Sequence, residues 1–238
     1  MRIRNFQPEA DQPSAENNGF ISMKKKIQLV PTLLTQSFAE FKSKLEKLDE
    51  YFDLVQIDCA DGEFVKNKTF FDIDKIKSLI FSADLELHLM VNDPLKVIKK
   101  WQNFKKVKKI FFHYEAVKND KKILGLIDYL RKHKIKVGLA VNPETKFEIF
   151  KKFLPILDLI LILGVEPGWG GQKFQPKVLN KIKEIRKAYP KLDIEVDGGV
   201  NLENAGEIIN AGANILAMGE ALSRPNDIKR ALASLNRK

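Results

Sequence analysis

From residue 27 onward, short apolar runs alternate with longer segments whose apolar residues recur every three or four positions. The short runs suit buried strands and the longer segments suit amphipathic helices. The pattern predicts strands at 27–34, 53–59, 84–90, 108–113, 136–141, 157–163, 193–196 and 214–218. Helices are predicted at 38–50, 94–101, 120–133, 176–188, 202–210 and 226–235, with weaker helical patterns at 74–81 and 146–153. Eight strand–helix units without a break in composition predict one α/β domain over 23–238, a single (β/α)8 TIM barrel. The alternative, a doubly wound open sheet, more often has fewer strands and a glycine-rich nucleotide loop after its first strand. Here the first strand ends Val30-Pro31-Thr32-Leu33-Leu34, with no such loop.

Residues 1–22 break the pattern. They are polar, carry two prolines, show no sustained period and lack the apolar stretch of a secretory signal. They are expected to form a flexible leader, and Met23, followed by three lysines, offers a second initiation point. Over the 238 residues, 44% are apolar, enough for a sizeable core. No apolar run reaches the roughly 18 residues of a membrane span, so no membrane partner is predicted. The single cysteine, Cys59, excludes a disulfide framework and a cysteine-based zinc site, and fits a reducing, cytoplasmic setting. The charge sum is 41 − 31 = +10. Its lysines are spread in pairs such as Lys99-Lys100, Lys105-Lys106, Lys108-Lys109 and Lys151-Lys152, most of them expected on solvated helix faces. No aromatic-interleaved basic stripe is present, so no nucleic-acid partner is predicted.

In a barrel, chemistry collects at the C-terminal ends of the strands, and side chains two apart on a strand share a face. Gln56 with Asp58, Glu86 with His88, and Glu195 with Asp197 are such pairs. A histidine among carboxylates suits a divalent transition metal, and the same groups also suit a structural polar layer. The late loops are rich in glycine: Pro167-Gly168-Trp169-Gly170-Gly171-Gln172, Gly198-Gly199, and Gly219 at the start of a helix. Glycine lets backbone N–H groups approach an anion, which points to a phosphate. His113 and Trp101 are expected in packing or hydrogen bonding, His133 at a helix end, Cys59 facing the outer helices, and Asp61-Gly62 in a turn.

The segments Pro31–Leu34, Asp58–Asn67 (DCADGEFVKN), Leu87–Val91 (LHLMV), Phe112–Ala116 (FHYEA), Val141–Thr145 (VNPET), Val165–Phe174 (VEPGWGGQKF) and Ile194–Val200 (IEVDGGV) are collinear and each stands at a strand end. In these segments, and across essentially all of residues 27–238, the chain resembles the ribulose-phosphate 3-epimerase family. The resemblance implies a barrel of the ribulose-phosphate-binding type and interconversion of D-ribulose 5-phosphate and D-xylulose 5-phosphate in the pentose phosphate pathway. It implies one divalent metal ion (Fe, Zn, Mn, Co or Mg) held by two histidines and two aspartates, the aspartates also serving as acid and base. Here Asp58 and Asp197 match the acid/base pair, and His88 matches a ligand. The second ligand histidine is replaced by Gln56. Thr32 stands where the family usually has a substrate-contacting serine. Gly170, Gly171, Gln172, Lys173, Gly198, Gly199, Gly219 and Glu220 match the phosphate site, and Met90, Leu163 and Ala60 match the surroundings of the enediolate. The partner implied is a small phosphorylated ketose, and family members often form homo-oligomers.

Four further positions depart from the family pattern. Glu220 replaces a serine at the phosphate, where it would repel a dianion unless it points away or pairs with Lys173 or Arg224. Glu63, Lys66 and Ala60 replace a histidine, a proline and a methionine after the second strand. These departures leave two other outcomes open: epimerisation of a related ketose phosphate, or a sugar-phosphate-binding barrel impaired in catalysis because Gln56 is a weaker ligand than imidazole.

Overall fold

Eight parallel strands close into a barrel in which every strand pairs with its neighbours in chain order and the last pairs with the first. The structure is a computed structural model that describes residues 25–222 and 224–235. The expected leader at 1–22 and the alternative start at Met23 lie outside the described residues. The strands are β1 (Gln28–Leu33), β2 (Leu54–Ala60), β3 (Asp84–Met90), β4 (Val107–His113), β5 (Lys136–Val141), β6 (Leu159–Leu163), β7 (Asp193–Asp197) and β8 (Ile215–Met218). The helices are α1 (Phe38–Asp49), α2 (Ile73–Lys77), α3 (Pro94–Trp101), α4 (Tyr114–Val117), α5 (Asp120–Lys132), α6 (Phe147–Phe150), α7 (Val178–Ala188), α8 (Ala205–Ala211) and α9 (Pro225–Leu235). No helix among the described residues is long and apolar enough to cross a membrane.

Strand alternation builds two cores. Outward residues such as Leu33, Ile57, Cys59, Leu87 and Leu89 join the helix faces in one large cluster that includes Trp101 at 1% exposure. Inward residues Val30, Phe111, Ala140, Leu159, Leu161, Leu163 and Ile215 fill the barrel itself. Phe111 occupies the space left by Gly138, where an added Cβ would lie 2.2 Å from the phenyl ring. Each large side chain buried here contributes on the order of 1.5–3 kcal/mol. Helix starts follow their caps: Ser37, Asp72, Asp93 and Asn119 each accept a backbone N–H of the first turn.

Four elements differ from the pattern-based expectation. The helix expected at 74–81 is only α2, because the Ser78 hydroxyl bonds back to the Lys75 carbonyl and the chain turns, leaving Ile80 fully exposed. The segment 146–153 makes one α-turn and then a 3-10 helix, Lys151–Ile156, whose Pro155 has no N–H to continue an α-ladder. That 3-10 helix delays the sixth strand from 157 to Leu159, although Leu157 is still buried. The short α4 was not anticipated; Lys118 ends it in a left-handed conformation at φ 44°. Lys109 is a correction. As one of a lysine pair it suggests a solvated position, yet from β4, in the strand expected at 108–113, it points into the barrel, 8% exposed.

Candidate active site

Register across the barrel stacks the inward polar residues in two layers. Gln56 lies opposite Glu86, and Glu86 opposite Lys109; one step higher, Asp58 lies opposite His88. On β7, Glu195 and Asp197 hold the same lower and upper levels, opposite Leu161 and Leu163. The sequence pairs Glu86/His88 and Glu195/Asp197 therefore separate by depth. Only the upper members reach the mouth.

The lower layer is a buried ion cluster. Lys109 Nζ is 2.7 Å from Glu86 and 3.9 Å from Glu195, and both glutamates are fully buried. The 2.7 Å approach lacks hydrogen-bond alignment, leaving these charged atoms without directed partners. Burial and the neighbouring Glu86 push Glu195 well above the ordinary carboxylate range. Burial alone would depress Lys109, but the two glutamates hold it above its usual value. This is the structural polar layer, and it carries the upper layer from below.

Gln56 reaches up from the lower level to the upper one, where its Nε2 donates to both Asp58 Oδ1 and Asp197 Oδ2, each at 2.8 Å. The side chain thus ties together two carboxylates that are 139 residues apart in the chain (197 − 58). His88 Nδ1 is 3.0 Å from Asp58 and 3.3 Å from Asp197. Burial works against the His88 charge, but hydrogen bonds and charge from Asp197 and Asp58 raise its pKa to about 9. Burial first, and the Asp197 charge second, raise Asp58 above the ordinary carboxylate value.

Behind this group runs a chain of donors and acceptors. His88 Nε2 is 2.9 Å from His113 Nε2, and His113 Nδ1 is 3.2 Å from Glu115 Oε2. Burial keeps His113 below the usual histidine pKa, so it is neutral, giving Nδ1–H to Glu115 and accepting from His88 Nε2–H. That bond holds the His88 ring so that its Nδ1 faces the aspartates. Glu115 is held in turn by the Asn142 N–H and the Thr145 hydroxyl. The hydrogen-bonding role expected for His113 is what the structure shows. Glu115 was missed in the sequence, although the motif FHYEA contains it.

The glycine loops form one wall of an open cavity of about 1110 Å³ that reaches Asp58, His88 and Asp197. Gly171 and Gly199 have φ of 73° and 70°, and an added Cβ at Gly199 would lie 2.5 Å from the Phe174 backbone nitrogen. Gln172 closes its own loop by donating to the Glu166 and Trp169 carbonyls. Thr32, Gly170, Gly198, Gly219, Glu220, Met90 and Leu163 also line the cavity. Ala60 does not: it packs with Val65 and Met90 under Leu34 and Phe64. Asp61 is structural, accepting from the backbones of Glu63, Phe64 and Asn92. Among the described residues, Glu220 forms no ion pair with Lys173 or Arg224, and Arg224 pairs with Asp227.

The donor set fits a divalent cation. One ligand atom each from Asp58, His88 and Asp197 lies within 4.8 Å of the others. Two carboxylate oxygens and an imidazole nitrogen at this spacing are a donor set that would hold such an ion. Gln56 shows its amino group to the carboxylates, while its buried Oε1 has no partner. Turning the amide over would present that oxygen to an ion.

A model of the ribulose-phosphate 3 epimerase family matches residues 28–223. The ribulose-phosphate 3-epimerase of Buchnera aphidicola subsp. Acyrthosiphon pisum is 33% identical over 222 residues, covering 90% of this chain and 95% of the relative. That of Bacillus subtilis is 33% identical over 217 residues, covering 88% and 98%. Among solved structures, a mutant tryptophan synthase α-subunit from Pyrococcus furiosus superimposes with a TM-score of 0.65 at 16% identity, covering 91% of this chain and 100% of that one. Orotidine 5′-monophosphate decarboxylase from Sulfolobus solfataricus gives 0.57 at 14%, covering 89% and 97%. The solved structures share the barrel alone. The family model and the close relatives go further, and with them the chain belongs to the ribulose-phosphate 3-epimerase family.

Proposed function

We propose that this barrel interconverts D-ribulose 5-phosphate and D-xylulose 5-phosphate, with Asp58 and Asp197 as the acid/base pair. The observation that carries the reading is their convergence on a single nitrogen, Gln56 Nε2, at 2.8 Å each. Inverting a carbon beside a carbonyl requires a proton to leave one face and another to arrive on the opposite face. One carboxylate takes the C3 proton, leaving an enediolate; the other, protonated, returns a proton from across the sugar. A single base would tend to restore the starting configuration. The elevated pKa of Asp58, set by burial and by Asp197, suits a pair in which one member is protonated and the other is not. Which of them acts first depends on the direction of reaction.

Asp58, His88 and Asp197 would hold a divalent cation, with the Gln56 oxygen as a neutral fourth donor. When bound, the cation supplies positive charge beside the developing enediolate oxygens. An amide oxygen in place of imidazole favours harder ions such as Mn or Mg. His113 and Glu115 keep the His88 ring in the orientation this requires. The phosphate end of the ketose lies against Gly170, Gly171, Gly198, Gly199 and Gly219, with Thr32 beside it. Met90 and Leu163 give the reacting carbons an apolar lining.

A coupled epimerase assay on the purified protein, supplied in turn with Fe, Mn, Zn, Co and Mg, tests the reading. Turnover with at least one ion is expected; none with any ion overturns it. A second reading, a barrel that binds the sugar phosphate without turning it over, is favoured by the Gln56 amino group that clamps the two aspartates. Substrate binding in the absence of turnover would select it.

A further inference from the structure

Among the described residues, no hydrogen bond uses the backbone N–H groups of Gly170, Gly171, Gly199, Gly219 or Glu220. They line the same cavity wall. The Glu220 carboxylate does not turn away from this wall. A Cβ built on Gly171 would sit 3.3 Å and 3.5 Å from its two oxygens, and one built on Gly170 would sit 3.5 Å from Oε1. The oxygens therefore rest against the open faces of two glycines. Thr32 closes the other side of the turn, its hydroxyl 2.9 Å from where a Cβ of Gly219 would be. The cations at hand are engaged elsewhere or stand apart: Arg224 Nε bonds Asp227 at 2.8 Å, and Lys173 makes no ion pair with Glu220.

We infer that Glu220 controls binding of the substrate's charged end: its carboxylate occupies the glycine cup as an internal anion and must leave before that end enters. The inference rests on the reading above that this cup receives the phosphate. Bringing a dianion within about 5 Å of a carboxylate under water-like screening weakens binding on the order of tenfold. The handicap falls on binding and not on the proton transfers, which occur at the other end of the substrate. It is relieved by salt, whereas ordinary attraction between a basic protein and a phosphate weakens with salt.

The test uses the full-length protein, Glu220→Gln and Glu220→Ser, with Glu148→Gln as a control for an exposed carboxylate on α6 outside the cavity. Inorganic phosphate is titrated calorimetrically at pH 8, and KM and kcat are measured for D-ribulose 5-phosphate at low and high salt. Both Glu220 variants are expected to bind phosphate and substrate about tenfold more tightly, with KM moving far more than kcat. Their KM should rise with salt more steeply than that of the parent. Glu148→Gln should change either constant less than twofold. If both Glu220 variants leave phosphate affinity within twofold of the parent, or weaken it, the inference is overturned. Absence of turnover in every protein would count against the epimerase reading alone, because the phosphate titration still decides the role of Glu220.

Discussion

Lys109 is the residue whose removal the barrel should tolerate least. It is the cation of a fully enclosed layer, 2.7 Å from Glu86 and 3.9 Å from Glu195. Lys109→Met keeps most of the aliphatic volume and deletes the charge. Glu86 then loses its buried counter-ion at 2.7 Å, beside the second buried carboxyl of Glu195. Breaking a buried pair by removing one partner costs about 3–5 kcal/mol. For a chain of this size, 1 kcal/mol shifts the melting temperature by roughly 2–4 °C, so a loss of about 6–20 °C is expected. Lys108 provides the comparison. It is the adjacent residue, its pair with Asp84 is 3.5 Å long, and both side chains are nearly half exposed. Lys108→Met should cost less than about 2 °C, because exposed pairs contribute little. Glu195→Gln should fall between the two, since burial already favours the neutral acid at that position. The assay is thermal unfolding by circular dichroism at neutral pH. A drop below about 3 °C for Lys109→Met, or an equal drop for Lys108→Met, would show that the lower layer does not behave as a buried ion cluster.

Other outcomes follow from the upper layer and the outer shell. Gln56→His should tighten divalent-metal binding by at least about tenfold, read by chelator competition independently of activity; unchanged affinity would mean that position 56 does not face the ion. Lys181 Nζ is held by the Asn142 and Pro143 carbonyls at 2.8 Å and 2.9 Å, and burial lowers its pKa to about 8. The unfolded chain therefore binds more protons between pH 8 and about 10.5, so this residue adds stability as pH rises through that window. Urea unfolding of the parent and Lys181→Met at pH 7.5 and 9.5 should show the parent gaining on the variant at the higher pH; a constant difference would contradict the assignment.

The fold was legible because strand and helix periods are clean in this chain. Runs such as Leu159–Leu163 are apolar on both faces, as strands covered inside and out require. Where the reading slipped, local chemistry outweighed the period: Ser78 ended α2, and Pro155 turned an apolar stretch into a 3-10 helix. The site was legible at Asp58, His88 and Asp197, which stand at strand ends and converge as expected. Depth was not legible. Period two puts Glu86 with His88 and Glu195 with Asp197 on one face, but only the barrel's stagger shows that the glutamates belong a layer below. Lys109 was hidden for the same reason, since a lysine in a pair ordinarily signals solvent. The direction of Glu220 and the choice of amino group over oxygen at Gln56 depend on side-chain rotation, which no sequence pattern specifies.

The central claim is that two opposed carboxylates exchange protons with one sugar carbon. Solvent deuterium incorporation at C3 of D-ribulose 5-phosphate, followed by NMR in the parent, Asp58→Asn and Asp197→Asn, addresses it most directly. The parent should incorporate deuterium while epimerising, and each variant should lose epimerisation by about a hundredfold or more. Epimerisation and exchange persisting near parental rates in both variants would contradict the account.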